Sequence, residues 1–276
     1  MKWLLWAGLG VAGAPAGAQP APSGRARVYS VVEGDFAVPQ VKLPDAAVAR
    51  RINRALLRLI IADRAEGVDS LGTPQQQLRQ AARASRYDAG AQALRSAAQG
   101  FVGADYETLL NQDFLLSLGF GLEFVGAYPS RETKHATFDL RTGRRLRLGD
   151  LIADPPAQLT RRLQGAINRR MGEKLAEIAA DSNDPAEVAD LTERFHWNRT
   201  TRRVNFETDG HAGGAVVVLD DFALTPPALL LFYQVGLPHA ILNFEPDDTY
   251  RFPYARVLPR GPLVPLAKTT APAPKP

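Results

Sequence analysis

Few side chains in this 276-residue chain have the chemistry to act on a ligand, and their spacing limits what they can do. The four histidines are His135, His196, His211 and His239, and no two stand three or four apart. A helical zinc motif needs that spacing, because only then do two imidazoles leave one helix face together. Cysteine is absent, which removes disulfides, thiolate metal sites and Cys nucleophiles. No cofactor or metal is expected. Ser117 lies in LLSLG, which lacks the first glycine of a G-x-S-x-G elbow, so packing accounts for it. Asp220-Asp221, Asp247-Asp248 and Glu123 are the candidates for a carboxylate pair, but sequence spacing brings no two of them together. Gly119-Phe120-Gly121 stops after its second glycine inside a strand pattern and is no phosphate cradle. Asn198-Arg199-Thr200 matches the glycosylation sequon, and His211 among Gly210, Gly213 and Gly214 makes a flexible loop.

The residues best placed for a ligand surround the turn Gly126 to Arg131. Tyr128 offers an aromatic face for a sugar ring and Arg131 a fork for a carboxylate, with Glu123 and His135 as neighbours. The plainer reading is that Gly126 and Pro129 shape a turn and Tyr128 packs over a sheet. His135 falls on the strand face opposite Phe138, a position open to solvent.

Arginine supplies most of the positive charge and gathers in four places: Arg50, Arg51, Arg54 and Arg58; Arg141, Arg144, Arg145 and Arg147; Arg161, Arg162, Arg169 and Arg170; and Arg199, Arg202 and Arg203. Such clusters fit an anionic wall polymer or a lipid head group, or else they are solvated helix faces. The net charge of +4 is too mild to demand nucleic acid.

These residues must be positioned by elements of two kinds. Arg27 to Val32 and Phe36 to Val41 read as strands. Asp45 caps a helix to about Asp63, with Ile52, Leu56, Leu59 and Ile60 as its apolar stripe. Thr73-Pro74 opens a Gln- and Ala-rich helix that runs toward Gly100, weakened at Gly90. From Phe114 to Phe124 every even position is large and apolar, the mark of a long strand with one face on a core. Asn111-Gln112-Asp113 turns the chain into it. Glu132 to Leu140 resumes the alternation after the loop, and Thr142-Gly143 is a turn. Leu159, Leu163, Ile167, Leu175 and Ile178 predict a helix to about Ala180, and Asp184-Pro185 starts another through Arg194. A short hairpin follows between Phe195 and Glu207. Ala215 to Leu219, Ala228 to Gln234 and Tyr250 to Tyr254 read as the last strands. The fold class is α+β, with antiparallel meander sheets packed with helices. VARRINRALLRL and LQGAINRRMGEKL share Ile-Asn-Arg inside an amphipathic helix, which hints at two similar halves.

Residues 1–18 carry Lys2, an apolar core from Trp3 to Val11, and Ala16-Gly17-Ala18, the pattern of a cleavable signal peptide. A periplasmic or secreted location follows as an expectation, with no transmembrane anchor. Residues 19–26 are expected to be disordered, 27–145 a first α+β domain, 146–262 a second, and 263–276 a Pro- and Ala-rich disordered tail.

The run FLLSLGFGLEFVGAYPSRETKHATFDLRTGRRLRLGDLI resembles the linked pair of uncharacterised extracytoplasmic domains of bacterial envelope proteins. Such pairs occur in a lysozyme-sensing anti-sigma factor and ahead of peptidoglycan deacetylase domains. The steps that carry the likeness are Val125-Gly126-Ala127-Tyr128, Asp139-Leu140-Arg141-Thr142-Gly143 and Asp150-Leu151-Ile152, with FALTPPALLLFYQ and YRFPYARVLP later. Tyr128 stands where that family commonly has His, so the role of that His does not carry over. The resemblance implies a non-catalytic binding or sensing module for a cell-wall component such as peptidoglycan, for a wall-active protein such as lysozyme, or for another envelope protein. The alternative is an unrecognised periplasmic hydrolase. No deacetylase domain, membrane helix or sigma-binding segment is expected beside it.

Overall fold

The computed structural model describes residues 24–62, 71–88, 93–94, 98–205, 219 and 221–269. The signal segment, the His211 loop and nearly all of the strand expected at 215–219 lie outside the described residues.

The chain opens with a hairpin of β1 (Arg27–Glu33) and β2 (Phe36–Lys42). Helix α1 (Ala46–Leu57) follows, continued by one π-helical turn over Arg58–Ala62. Asp45 caps α1 as its side chain accepts the amides of Ala47 and Val48 at 2.8 and 3.1 Å. Helix α2 (Pro74–Ala84) starts at Thr73, whose hydroxyl and the side chain of Gln76 form a reciprocal capping box. It stops well short of Gly100, because the chain there enters the small hairpin β3 (Tyr87–Asp88) and β4 (Ala93–Leu94).

Three long strands come next: β5 (Gly100–Gln112), β6 (Leu115–Val125) and β7 (Pro129–Asp139). With the first hairpin they build a sheet of order β1-β2-β5-β6-β7. All neighbours are antiparallel except β2 and β5, which pair in parallel at Phe36 and Ala104. A parallel neighbour needs a crossover, and α1 and α2 supply it. Leu116, Leu118, Phe120 and Leu122 point together into a core with Ile52 and Leu56 of α1. The Thr142-Gly143 turn docks on α1: Gly143 has φ +69°, and a Cβ there would meet the carbonyl oxygen of Val48 at 2.9 Å.

The second part begins with the single turn α3 (Leu148–Leu151) and the long helix α4 (Pro156–Asp181). Helix α5 (Pro185–Arg194) is capped by Asp184, and β8 (Trp197–Asn198) and β9 (Arg203–Val204) form a hairpin. Strands β10 (Phe222–Leu224), β11 (Ala228–Phe232) and β12 (Thr249–Pro253) form an antiparallel sheet in that order. Short 3-10 turns cover His239–Phe244 and Tyr254–Arg256. Leu159, Leu163, Ile167, Met171, Leu175 and Ile178 stripe α4 and share a second core with this sheet. The fold is α+β, with antiparallel sheets packed against helices.

The Ile-Asn pair of each helix does the same work twice. Ile52 and Ile167 are both fully buried, one in each core. Asn53 Oδ1 accepts the amide of Val41 in β2 at 2.7 Å, and its amide donates back to the Val41 carbonyl at 3.1 Å. Asn168 Oδ1 accepts the amide of Val204 in β9 at 2.9 Å, while Gln164 donates to the Val204 carbonyl at 3.3 Å. Each asparagine thereby staples its helix to a strand through groups that burial would otherwise leave unpaired.

Several expectations need correction. The tail does not become disordered at 263: α6 (Leu263–Thr269) forms, with Leu263 and Leu266 fully buried in the second core. It is led there by backbone pairing of Leu258 to Ala153 and Arg260 to Leu151. Residues 24–26 are placed too, because Asn111 bonds both the amide and the carbonyl of Ala26, which is buried. The turn before β6 is Asp113-Phe114, both at positive φ, so Phe114 is a turn residue and not the first of the strand.

Candidate functional site

Arg131 lies in strand β7 and not in a loop, directly across from Glu123 of β6. The chain reverses over Gly126, Ala127 and Tyr128, and Pro129 begins the returning strand, a position that needs no ladder N–H. Arg131 Nη1 donates to Glu123 at 3.1 Å, and Nη2 reaches over β6 to both Asp105 oxygens of β5 at 2.6 and 2.7 Å. The path is open because residue 121 is glycine. The hydrogen bond to Asp105 comes first among the effects that raise the Arg131 pKa further above its already high value. The fork expected for a ligand carboxylate is thus occupied by two carboxylates of the chain itself.

His135 is 5% exposed, so the expectation that it is open to solvent fails. Its strand face is indeed opposite Phe138, but β10 and β11 cover it. The imidazole stacks on Phe232 with centroids 3.7 Å apart, and Asp221 accepts its backbone amide and contacts Nδ1, both at 3.1 Å. Arg145 donates to the His135 carbonyl at 3.1 Å. These two contacts cap the edge of β7, which would otherwise invite another strand. Ser117, fully buried beside it, shares a 3.0 Å hydrogen bond with Thr137 and accepts the Leu224 amide at 3.0 Å. His135 and Ser117 therefore belong to the seam between the two cores.

Tyr128 is 68% exposed at the hairpin tip. One ring face rests on His239, 5.3 Å between centroids and 18° from parallel. A Cβ on Gly126 would meet nothing within 4 Å, so packing does not demand that glycine. The five expected residues thus separate into a charge network (Glu123, Arg131), a hairpin tip (Gly126, Tyr128) and a buried seam (His135). Asp105, Asp221 and His239 are the partners that residue spacing did not reveal. Asp247 and Asp248 serve their own turn by binding Thr249.

The arginine clusters form more coherent surfaces. Arg50, Arg51, Arg54 and Arg58 of α1 and its π turn, with Arg145, line a groove of about 540 Å³ floored by Ala47, Ala55 and Leu59. Arg51 is fixed by a 2.6 Å bond to the Thr142 carbonyl, and Arg145 by His135. Arg50, Arg54 and Arg58 are exposed and have no ion pair among the described residues. They follow each other at i, i+4 with no acid anywhere in α1. Like charges at that spacing destabilise a helix by roughly 0.2–0.5 kcal/mol per pair. A bound anion would relieve that repulsion.

Several solved structures resemble the chain. One, a DUF3298-family protein from Bacteroides fragilis, aligns over 90% of this chain and 99% of its own, with a TM-score of 0.51 and 14% identity. The chain shares that fold. A second DUF3298-family protein, from Pseudomonas aeruginosa, is 17% identical over 89% of this chain and 97% of its own, with a TM-score of 0.45. No family model matches the sequence. A comparison with curated proteins finds no match. No helix among the described residues is long and apolar enough to cross a membrane.

Proposed function

We propose that the chain is an exported binding module of the cell envelope that holds an anionic wall component without transforming it. The observation that carries this reading is the α1 groove, where three exposed guanidinium groups have no ion pair among the described residues and stand beside two fixed ones. Guanidinium forks match phosphate and carboxylate geometry, and both groups are abundant in wall polymers. The signal-like first 18 residues supply the compartment.

Lysozyme suits the groove poorly as a partner, because lysozymes are usually basic and like charge opposes encounter. The hydrolase reading needs a histidine or paired carboxylates in a pocket near Tyr128. His135 is buried under Phe232, Glu123 and Asp105 are joined through Arg131, and His239, the histidine beside Tyr128, is exposed with its ring stacked on the tyrosine. The test is retention of the mature protein on purified peptidoglycan that keeps its anionic polymers, with immobilised lysozyme in parallel. Wild type should be retained on the wall material, and the triple variant R50Q/R54Q/R58Q should lose most of that retention. Equal retention of both proteins would remove the α1 groove from the account.

A further inference from the structure

The Ile-Asn-Arg triplet occurs at 52–54 and at 167–169, and among the described residues its third member is exposed and makes no ion pair. Arg54 lines the α1 groove. Arg169, the matching residue of α4, lines a second and larger groove of about 1010 Å³ between α4 and β12. The two triplets place their residues alike: isoleucine in a core, asparagine on a buried strand valine, arginine at a groove.

The α4 groove carries five arginines, Arg162, Arg169, Arg170, Arg251 and Arg256, against two acids, Glu173 and Asp247. Two of the arginines are held in place. Arg162 donates to Asp154 at 2.8 Å and to the Arg256 carbonyl at 2.6 Å, and the Asp154 side chain is completely buried. Arg170 donates to the carbonyls of Asp247 and Thr249 and lies 4.2 Å over the Tyr250 ring. Eight residues apart on one helix, they stand about 12 Å apart along its axis. Arg169, Arg251 and Arg256 are exposed and have no ion pair among the described residues. Gly165 and Ala166 keep the helix side of the groove low. Strand addition at the β12 edge is disfavoured, since Arg170 occupies the Thr249 carbonyl and Pro253 has no N–H.

We infer that the α4 groove is a second anion site equivalent to the α1 groove, and that the chain grips one anionic polymer at both. The inference rests on the anion-binding reading of α1 and extends it from one contact to two. Separate weak sites on one molecule then act together, and the second contact is made at high effective concentration. Such avidity raises affinity for a long polymer by roughly 10²–10⁴-fold over a short anion of the same chemistry.

The experiment titrates the full mature chain with tripolyphosphate, long-chain inorganic polyphosphate and poly-γ-glutamate by calorimetry. Wild type, R54Q, R169Q and the double variant are compared, with thermal melts to confirm folding. Two tripolyphosphate sites are expected in wild type, each single variant should weaken one of them, and long chains should bind at least 10²-fold more tightly than tripolyphosphate to wild type only. Response to polyphosphate but not poly-γ-glutamate would assign phosphate, and response to both would assign charge density. Unchanged binding in R169Q, or long chains bound no more tightly than tripolyphosphate, overturns the paired sites while leaving the α1 reading intact. No binding of any probe by wild type overturns both.

Discussion

The guanidinium of Arg131 crosses Gly121, so close that a Cβ there would fall 2.0 Å from Nη2. One missing methyl group lets a β7 side chain reach a β5 carboxylate over the strand between them. The atoms it would strike are the far end of a flexible side chain, so Gly121→Ala should swing Arg131 away and not unfold the sheet. The lost ion pairs are half-exposed, and such pairs contribute about 0–1 kcal/mol. Urea denaturation should show a change within about 1 kcal/mol, while a double-mutant cycle of Arg131 with Asp105 in the Gly121→Ala background should show no coupling. A loss well above that figure would mean the network does more for stability than its exposure allows.

Asn53→Ala and Asn168→Ala should each leave a buried valine amide without its acceptor. The expected cost is about 1–3 kcal/mol apiece. Asn53 should be the costlier, because it serves both the amide and the carbonyl of Val41, whereas Gln164 shares the work at Val204. Equilibrium urea melts of the two variants give the comparison, and a reversed order would contradict the staple as described.

Ser117→Ala should remove the acceptor for the Leu224 amide at the seam, again at about 1–3 kcal/mol. Because the bond crosses from one core to the other, the variant should also unfold less cooperatively. Calorimetry would show this as a broadened or split transition, and a single sharp transition at lower temperature would indicate a purely local effect.

Alkaline pH should destabilise the fold through three buried tyrosines. Burial pushes Tyr250 up to about 12 and raises Tyr233 and Tyr254 as well. An unfolded tyrosine ionises near pH 10, so above that value the unfolded chain holds fewer protons than the native one and stability falls as pH rises. The Tyr250 contribution is fully present below about pH 10 and is lost as pH rises through about 12. Tyr250→Phe should flatten that decline when urea midpoints are measured from pH 8 to pH 12.

What was legible in the sequence was local. Asp45, Thr73-Pro74 and Asp184-Pro185 mark helix starts because a cap acts within three or four residues. The even-numbered apolar residues of β6 declared their core face for the same reason, as one strand suffices to set alternation. The burial of His135 is not legible in the sequence, because alternation tells which face a residue is on, not what covers that face, and β11 arrives from almost a hundred residues away. Asp105 comes beside Arg131 only once β5, β6 and β7 are in register, which residue spacing does not show. The helix at 263–269 was hidden by proline-rich composition, although Leu263 and Leu266 stand at helical spacing. The Arg50, Arg54 and Arg58 row was visible as a helix face, but Arg145 joins it only through the turn that docks on α1.

The central claim is that exposed arginines hold an anionic wall component, and the most direct test is co-sedimentation of the mature protein with purified peptidoglycan across a salt series. Exposed charges are strongly screened once the Debye length falls to about 3 Å near 1 M salt. The protein should be in the pellet at low ionic strength and be released progressively as salt rises, and the R50Q/R54Q/R58Q variant should lose retention at low salt. A wild-type protein that stays in the supernatant at low salt, or pellets equally at every salt concentration, would contradict the claim.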